Sequence, residues 1–168
     1  MKRIAVLLAC CLALGASSAW AQLGIGRTRI GFFAGAANHD NSITLGEVSF
    51  SGMVLNKLEV MAGLGYYTFD RNDLDSPVAH LGAVYHFSSL LPWRNGIGLQ
   101  LGRPLGAEMS SGGGKVHLSY NILDVFYNLE LRLTRRAAFT GRLGVQNLSG
   151  ELDNTALLVK LGLSLYLN

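Results

Sequence analysis

The stretch "LLVKLGLSLYLN" (157–168) divides by twos: Leu157, Val159, Leu161, Leu163, Leu165 and Leu167 fall on one side of an extended chain, and Lys160, Gly162, Ser164 and Tyr166 on the other. Such alternation predicts a β-strand with one apolar and one polar face, but it does not say which face is buried. A soluble sandwich or lipocalin-like barrel buries the leucines, whereas a membrane barrel turns them to lipid. The rest of the chain decides between the two.

At the other end, "MKRIAVLLACCLALGASSAWAQ" (1–22) has Lys2 and Arg3, then an apolar run from Ile4 to Ala16, then Ala19 and Ala21 flanking Trp20. That layout is a cleaved secretory signal, residues 1–21, with the exported domain spanning 22–168. A lipoprotein-type acylation site at Cys10, within "LLAC", is the competing reading; the apolar stretch ahead of it is only about six residues long. Nothing later offers the roughly twenty continuous apolar residues of a transmembrane helix. Cleavage removes both cysteines, Cys10 and Cys11, so stability has to come from sheet closure and packing rather than disulfides. It also removes Lys2 and Arg3, leaving twelve basic against eleven acidic residues, and a chain so nearly balanced gives no argument for nucleic-acid binding.

Glycine is abundant, proline scarce, and β-forming segments recur between turn clusters. The spacing predicts eight antiparallel strands over 27–37, 43–54, 58–69, 78–88, 95–103, 115–133, 137–147 and 156–167. The connections alternate. After the odd strands come "NHDN", "DRNDLDSP", "RPLGAEMSSGGGK" and "LSGELDN", and after the even ones "LNK", "SLLPWRN" and "TRR". Longer polar loops at one end and tighter turns at the other are the asymmetry of an outer-membrane barrel.

Followed strand by strand, one parity is apolar: Ile30, Phe32; Val48, Phe50; Val60, Leu64; Leu81, Tyr85; Ile97, Leu99; Val125, Leu131; Phe139, Leu143. The other parity carries Arg29, Glu47, Glu59, Asp124, Glu130, Arg132, Arg142 and Lys160, together with His80, His86, Gln100, Asn128 and Gln146. A water-soluble barrel has this polarity reversed. If the apolar face meets lipid, four cations and four anions share an interior too narrow for a water channel, and they must be paired there. The expected fold is therefore an all-β, eight-stranded antiparallel up-and-down transmembrane barrel.

The chain from residue 22 onward resembles the small eight-stranded outer-membrane barrels of the OmpA/OmpX-like class, and its tail is similar to their carboxy-terminal assembly signal. In that signal's order of polar, glycine, aromatic and hydrophobic positions stand Lys160, Gly162, Leu165 and Leu167; Leu165 replaces the usual aromatic, and Asn168 follows where the family commonly ends on Phe. The resemblance implies a Gram-negative outer-membrane location, contact with outer-membrane lipids and lipopolysaccharide, passage through the barrel-assembly machinery, a monomeric state and no cofactor. It does not choose a function, because the architecture serves adhesins, enzymes, gates and structural proteins alike.

Two groups of residues carry possible chemistry. In "KVHLSYN" (115–121), His117, Ser119 and Asn121 alternate onto one face with Asp124 nearby, superficially similar to the His-x-Ser-Asn stretch of PagL-like lipid A deacylases. A nucleophile and base acting on lipid A or phospholipid need mutual contact and a third group to orient the imidazole. That family places its pair in the seventh strand, whereas this stretch opens the sixth, and the matching seventh-strand position is Gln146. A polar strand face above the membrane is the preferred reading. The second group, Asp70, Asn72, Asp73 and Asp75, supplies oxygen ligands for a divalent cation but lacks the glycine and terminal glutamate of an EF-hand loop, so a solvated acidic loop is the preferred reading. His80 and His86 lie too far apart along one strand to share a metal, and interior hydrogen bonding is expected for them. Trp93, beside Arg94, is placed for an interfacial anchor.

The sequence thus predicts a non-enzymatic envelope barrel acting in membrane integrity or through its outer loops, with a lipid hydrolase as the alternative and a small-solute pore as a further one. One irregularity needs explaining. Val116, Leu118, Tyr120 and Ile122 are apolar at even positions, whereas Leu123 to Leu133 are apolar at odd ones. A bulge near Asn121, or a hairpin extending beyond the bilayer, accounts for the change.

Overall fold

The computed structural model describes residues 26–38, 42–69, 74–88, 92–111, 114–150 and 153–167. The predicted signal, residues 1–21, lies outside them. Ten strands follow one another: β1 (Gly26–Asn38), β2 (Ile43–Met53), β3 (Leu58–Phe69), β4 (Leu74–Ser88), β5 (Trp93–Pro104), β6 (Ala107–Ser111), β7 (Gly114–Leu118), β8 (Tyr120–Arg132), β9 (Ala137–Gly150) and β10 (Asn154–Tyr166). Eight of them pair in the order β3-β2-β1-β10-β9-β8-β5-β4, and a β3–β4 ladder closes the ring. Every barrel pairing is antiparallel. Closure leaves no barrel strand with an unpaired edge, which is the condition for a sheet in hydrocarbon.

The strand expected over 115–133 is two strands. Its first part, β7, pairs with β6 in an accessory hairpin that joins the barrel through Asp75 and Glu108 on β4 and β6, and the barrel wall resumes at Tyr120 after a break at Ser119. Of the two explanations offered for the change of phase, the hairpin is the one observed. The wall itself does not change phase: every even residue from Tyr120 to Glu130 is buried. Tyr120 and Ile122 are apolar because the lumen is apolar at their level.

All the outward rows predicted from parity face outward. Phe32, Leu81, Ile97, Leu143 and Leu161 are each about half exposed, while Lys160, Asp124 and Arg142 are buried. Lateral register aligns outward side chains across the wall, as in the row Trp93, Leu131, Phe139, Leu163, Phe32, Val48 and Leu64. Inside, bulk is matched by glycine across the ladder. Phe33 pairs with Gly162, Lys160 with Gly35, and Phe126 with both Gly98 and Gly144. A Cβ at Gly98 would stand 2.5 Å from the Phe126 ring, and one at Gly162 would stand 2.6 Å from Phe33 Cδ1. The glycines therefore make room for the side chains that fill the lumen.

The turns are closed locally. Val54 and Leu55 donate to the Leu58 carbonyl, and Thr134 Oγ1 accepts from the N–H groups of Arg136 (3.1 Å) and Ala137 (3.0 Å). Such a threonine holds a tight turn by competing for backbone donors that the ladder does not use.

Candidate functional site in the barrel lumen

From the loop end to the turn end, the buried side chains form successive layers. Nearest the loops is an apolar plug that includes Ile43, Leu45, Tyr67, Phe69, Val78, Tyr120, Ile122 and Leu158, with Phe69 and Tyr120 meeting edge to face at 5.8 Å. Below it Lys160 Nζ donates to Glu47 Oε2 (3.0 Å) and Asp124 Oδ2 (2.9 Å). Arg142 lies 3.4 Å from the other Glu47 oxygen, with its guanidinium 4.0 Å from the Phe33 ring centroid and 4.9 Å from that of Phe126. Gln100 donates to Glu47 (3.2 Å) and Gln146 to Asp124 (2.9 Å). Two cations and two anions, from β2, β8, β9 and β10, thus close a neutral set.

A second cluster sits toward the turns. Arg29 Nε donates to Glu59 (2.7 Å) and Ser51 (2.9 Å), and its guanidinium also binds Glu130, which accepts from the Tyr166 hydroxyl as well. His86 Nε2 lies 2.8 Å from the second Glu59 oxygen, with Arg94 3.7 Å away. Arg132 lays its guanidinium 4.9 Å from the Tyr166 ring centroid. Met61, Val84 and Phe126 form a further buried apolar cluster. Ionic groups removed from water cost several kcal/mol each unless hydrogen-bonded to opposite charge, and here each carboxylate has at least two polar partners.

The eight charged residues expected inside are therefore divided into two groups, Glu47, Asp124, Arg142 and Lys160 in one, and Arg29, Glu59, Glu130 and Arg132 in the other. Sequence reading omitted several participants from the network, Arg94, Phe33 and Phe126 among them. Arg94 shares parity with Gln100 on β5, and Phe33 and Phe126 share parity with Arg29 and Asp124. Parity alone would have found all three; hydrophobicity and position near a turn diverted the assignment.

Of the catalytic candidates, Asn121 and Asp124 are held apart on β8. Asp124 points into the lumen and is held by Lys160 and Gln146, whereas Asn121, three residues earlier, is exposed on the other face of the strand. Ser119 is exposed at the break between β7 and β8, and the backbone of His117 lies in β7, its side chain outside the described residues. Asp70, Asn72 and Asp73 are also outside the described residues; Asp75 is exposed on β4. His86 binds Glu59 as expected, but His80 meets the Tyr67 ring at a tilt, 5.6 Å away, and neither of its ring nitrogens has a hydrogen-bond partner among the described residues, because the apolar layer beside it offers none. Of the assembly-signal positions, Lys160 is buried in the lumen, whereas Leu165 and Leu167 are exposed on the outer face. Gly162 shares the inward parity of Lys160.

No family model and no curated protein matches the chain. Solved structures do. The N-terminal β-barrel domain of Pseudomonas aeruginosa OprF superimposes with a TM-score of 0.65 at 15% identity, over 84% of this chain and 98% of that one. The fold is that of a small outer-membrane barrel. Neisserial surface protein A matches equally well (TM-score 0.65, 13% identity, 83% of this chain and 95% of that one). Ail of Yersinia pestis, in complex with the heparin analogue sucrose octasulfate, matches with a TM-score of 0.54 at 14% identity, over 83% and 95% of the two chains. At these identities architecture is shared and side-chain chemistry is not.

Proposed function

We propose that this chain is a Gram-negative outer-membrane barrel protein, exported with loss of residues 1–21, whose lumen is sealed and whose role lies in the envelope and at the cell surface rather than in catalysis or transport. The observation that carries the reading is the inverted wall: an apolar exterior around an interior filled with paired charge. Alternating strands with that polarity have lipid as their solvent. Leu165 and Leu167, outward on and just beyond β10, would be read by the barrel-assembly machinery as the chain enters the membrane. The loop end would face outward, and its segments carry Asp40, Asp70, Asp73, Asp75, Glu108, Glu151 and Asp153 against Arg71, Arg103 and Lys115. Such a surface opposes sulfated polyanions of the kind bound by Ail and favours cationic or cation-bridged partners.

Fractionation tests the location. The protein should partition with outer membranes, resist carbonate and urea, begin at Gln22 by mass, and migrate faster on gels when unheated. Recovery as a soluble periplasmic protein would end the membrane reading. In planar bilayers the folded chain should give no steady conductance, and a persistent open level would return the pore to first place.

A further inference from the structure

We propose that the turn end of the barrel is a collar for the anionic headgroups of glycerophospholipids, centred on the β8–β9 turn; this rests on the membrane reading above and names the lipid class at that end. Charge is divided unevenly along the molecule. Four of the eleven acidic residues face the lumen and the other seven lie in loop-end segments. The turns at the opposite end (54–57, 89–92 and 133–136) contain no acid and expose Lys57, Arg135 and Arg136. The nearest carboxylates, Glu59 and Glu130, point inward and are already held by Arg29, His86 and Tyr166. The exposed cations therefore look outward without a counter-charge among the described residues.

A second observation points to lipid rather than to a soluble anion. Trp93, half exposed, stands in lateral register with Leu131 and Phe139 on the wall beside that turn, and Leu133 is exposed at its start. The Arg132 N–H donates to the Pro92 carbonyl (2.8 Å), tying the arginine-bearing turn to the tryptophan's strand. A guanidinium fork matches phosphate oxygens, an indole sits at headgroup level, and the Leu131–Phe139 surface suits an acyl chain.

The test uses the exported chain from Gln22 onward, in which Trp93 is the single tryptophan. It is folded into phosphatidylcholine vesicles doped with brominated phosphatidylglycerol or, at equal fraction, brominated phosphatidylcholine, and quenching of Trp93 is compared. Each headgroup-level cation gives roughly a fivefold preference for anionic lipid at low salt, so phosphatidylglycerol should quench several-fold more effectively. Lys57→Gln/Arg135→Gln/Arg136→Gln should remove that excess while unheated gel mobility is kept. Should the triple variant fail to fold, raising sodium chloride on the unsubstituted protein should erase the excess by screening. Equal quenching by the two lipids, or an excess untouched by both the triple variant and salt, overturns the proposal. Loss of the excess to inorganic phosphate at matched ionic strength would assign the site to free phosphate and also overturn it. No quenching by either lipid would remove the membrane reading itself.

Discussion

Replacing Lys160 with methionine removes one charge from the centre of the lumen and leaves the shape of the side chain nearly intact. The ammonium is fully buried and is the donor shared by Glu47 and Asp124, at 3.0 and 2.9 Å. Once it is gone, Glu47 keeps Arg142 at 3.4 Å and Gln100 at 3.2 Å, but Asp124 keeps only Gln146 among the partners described. Two anions then face one cation. Breaking a buried pair by deleting one partner costs about 3–5 kcal/mol, and the surviving contacts of Glu47 put the expectation near the lower figure. With a urea dependence of about 2 kcal/mol per molar, a loss of about 3 kcal/mol lowers the unfolding midpoint by about 1.5 M. Unfolding in detergent, followed by the heat-modifiable gel shift and by fluorescence, measures it. Lys160→Met/Asp124→Asn restores charge parity and should recover more than half of the loss, because the amide tolerates burial that an unpaired carboxylate does not. A single-variant loss below about 1 kcal/mol, or no recovery in the double variant, would show that the central charges are hydrated or unpaired and would refute the sealed-lumen account.

Other outcomes follow from the same geometry. Glu130→Ala strips Arg29 and Tyr166 of a shared acceptor and should cost about 3 kcal/mol by urea titration, whereas the outward Leu131→Ala should cost less than about 1.5, since lipid replaces the lost contacts where a rigid core would leave a cavity. Gly144→Ala places a Cβ against the Val125 carbonyl and 2.5 Å from Phe126 Cα, both backbone, so the folded band on unheated gels should be much reduced. Purified protein in detergent should release no fatty acid from lipid A or phospholipid, because Asn121 and Asp124 lie on opposite faces of β8 and Asp124 is committed to Lys160. Turnover abolished by both Ser119→Ala and His117→Ala in a folded barrel would make it a hydrolase.

Parity made the wall legible. A single rule, two residues per repeat, assigns Leu161 outward and Lys160 inward on every strand, and the closed sheet follows from the count of such segments. The rule does not measure depth. Tyr67, Phe69, Tyr120, Ile122 and Leu158 share parity with the charged residues and yet form an apolar layer, which no alternation pattern separates from a lipid-facing row. The hairpin β6–β7 was hidden for a related reason: "KVHLSY" alternates as a barrel strand does, and only the break at Ser119 shows that it leaves the wall. Pairing was illegible because it crosses the barrel. Arg29 meets Glu130 and Lys160 meets Glu47 over sequence separations of 101 and 113 residues, which local pattern does not encode.

The same arrangement explains why a costly charged interior is kept where leucine and phenylalanine would fill the space. A slip of one residue between neighbouring strands turns Lys160 and Arg142 to lipid, at a cost of several kcal/mol, so the two faces forbid it. A slip of two residues preserves the faces, and on the outside it is invisible: Leu157, Val159, Leu161, Leu163 and Leu165 offer lipid nearly the same surface in either register. Inside it is not. Moving β10 by two against β1 sets Phe33 opposite Lys160 or Ser164 in place of Gly162, and carries the ammonium away from Glu47 and Asp124. Moving β8 by two against β5 or β9 takes the Phe126 ring off Gly98 and Gly144. Register is thus specified in the lumen, by glycines placed opposite bulk and by two separate sets of paired charge, and the outer face contributes only the choice of solvent.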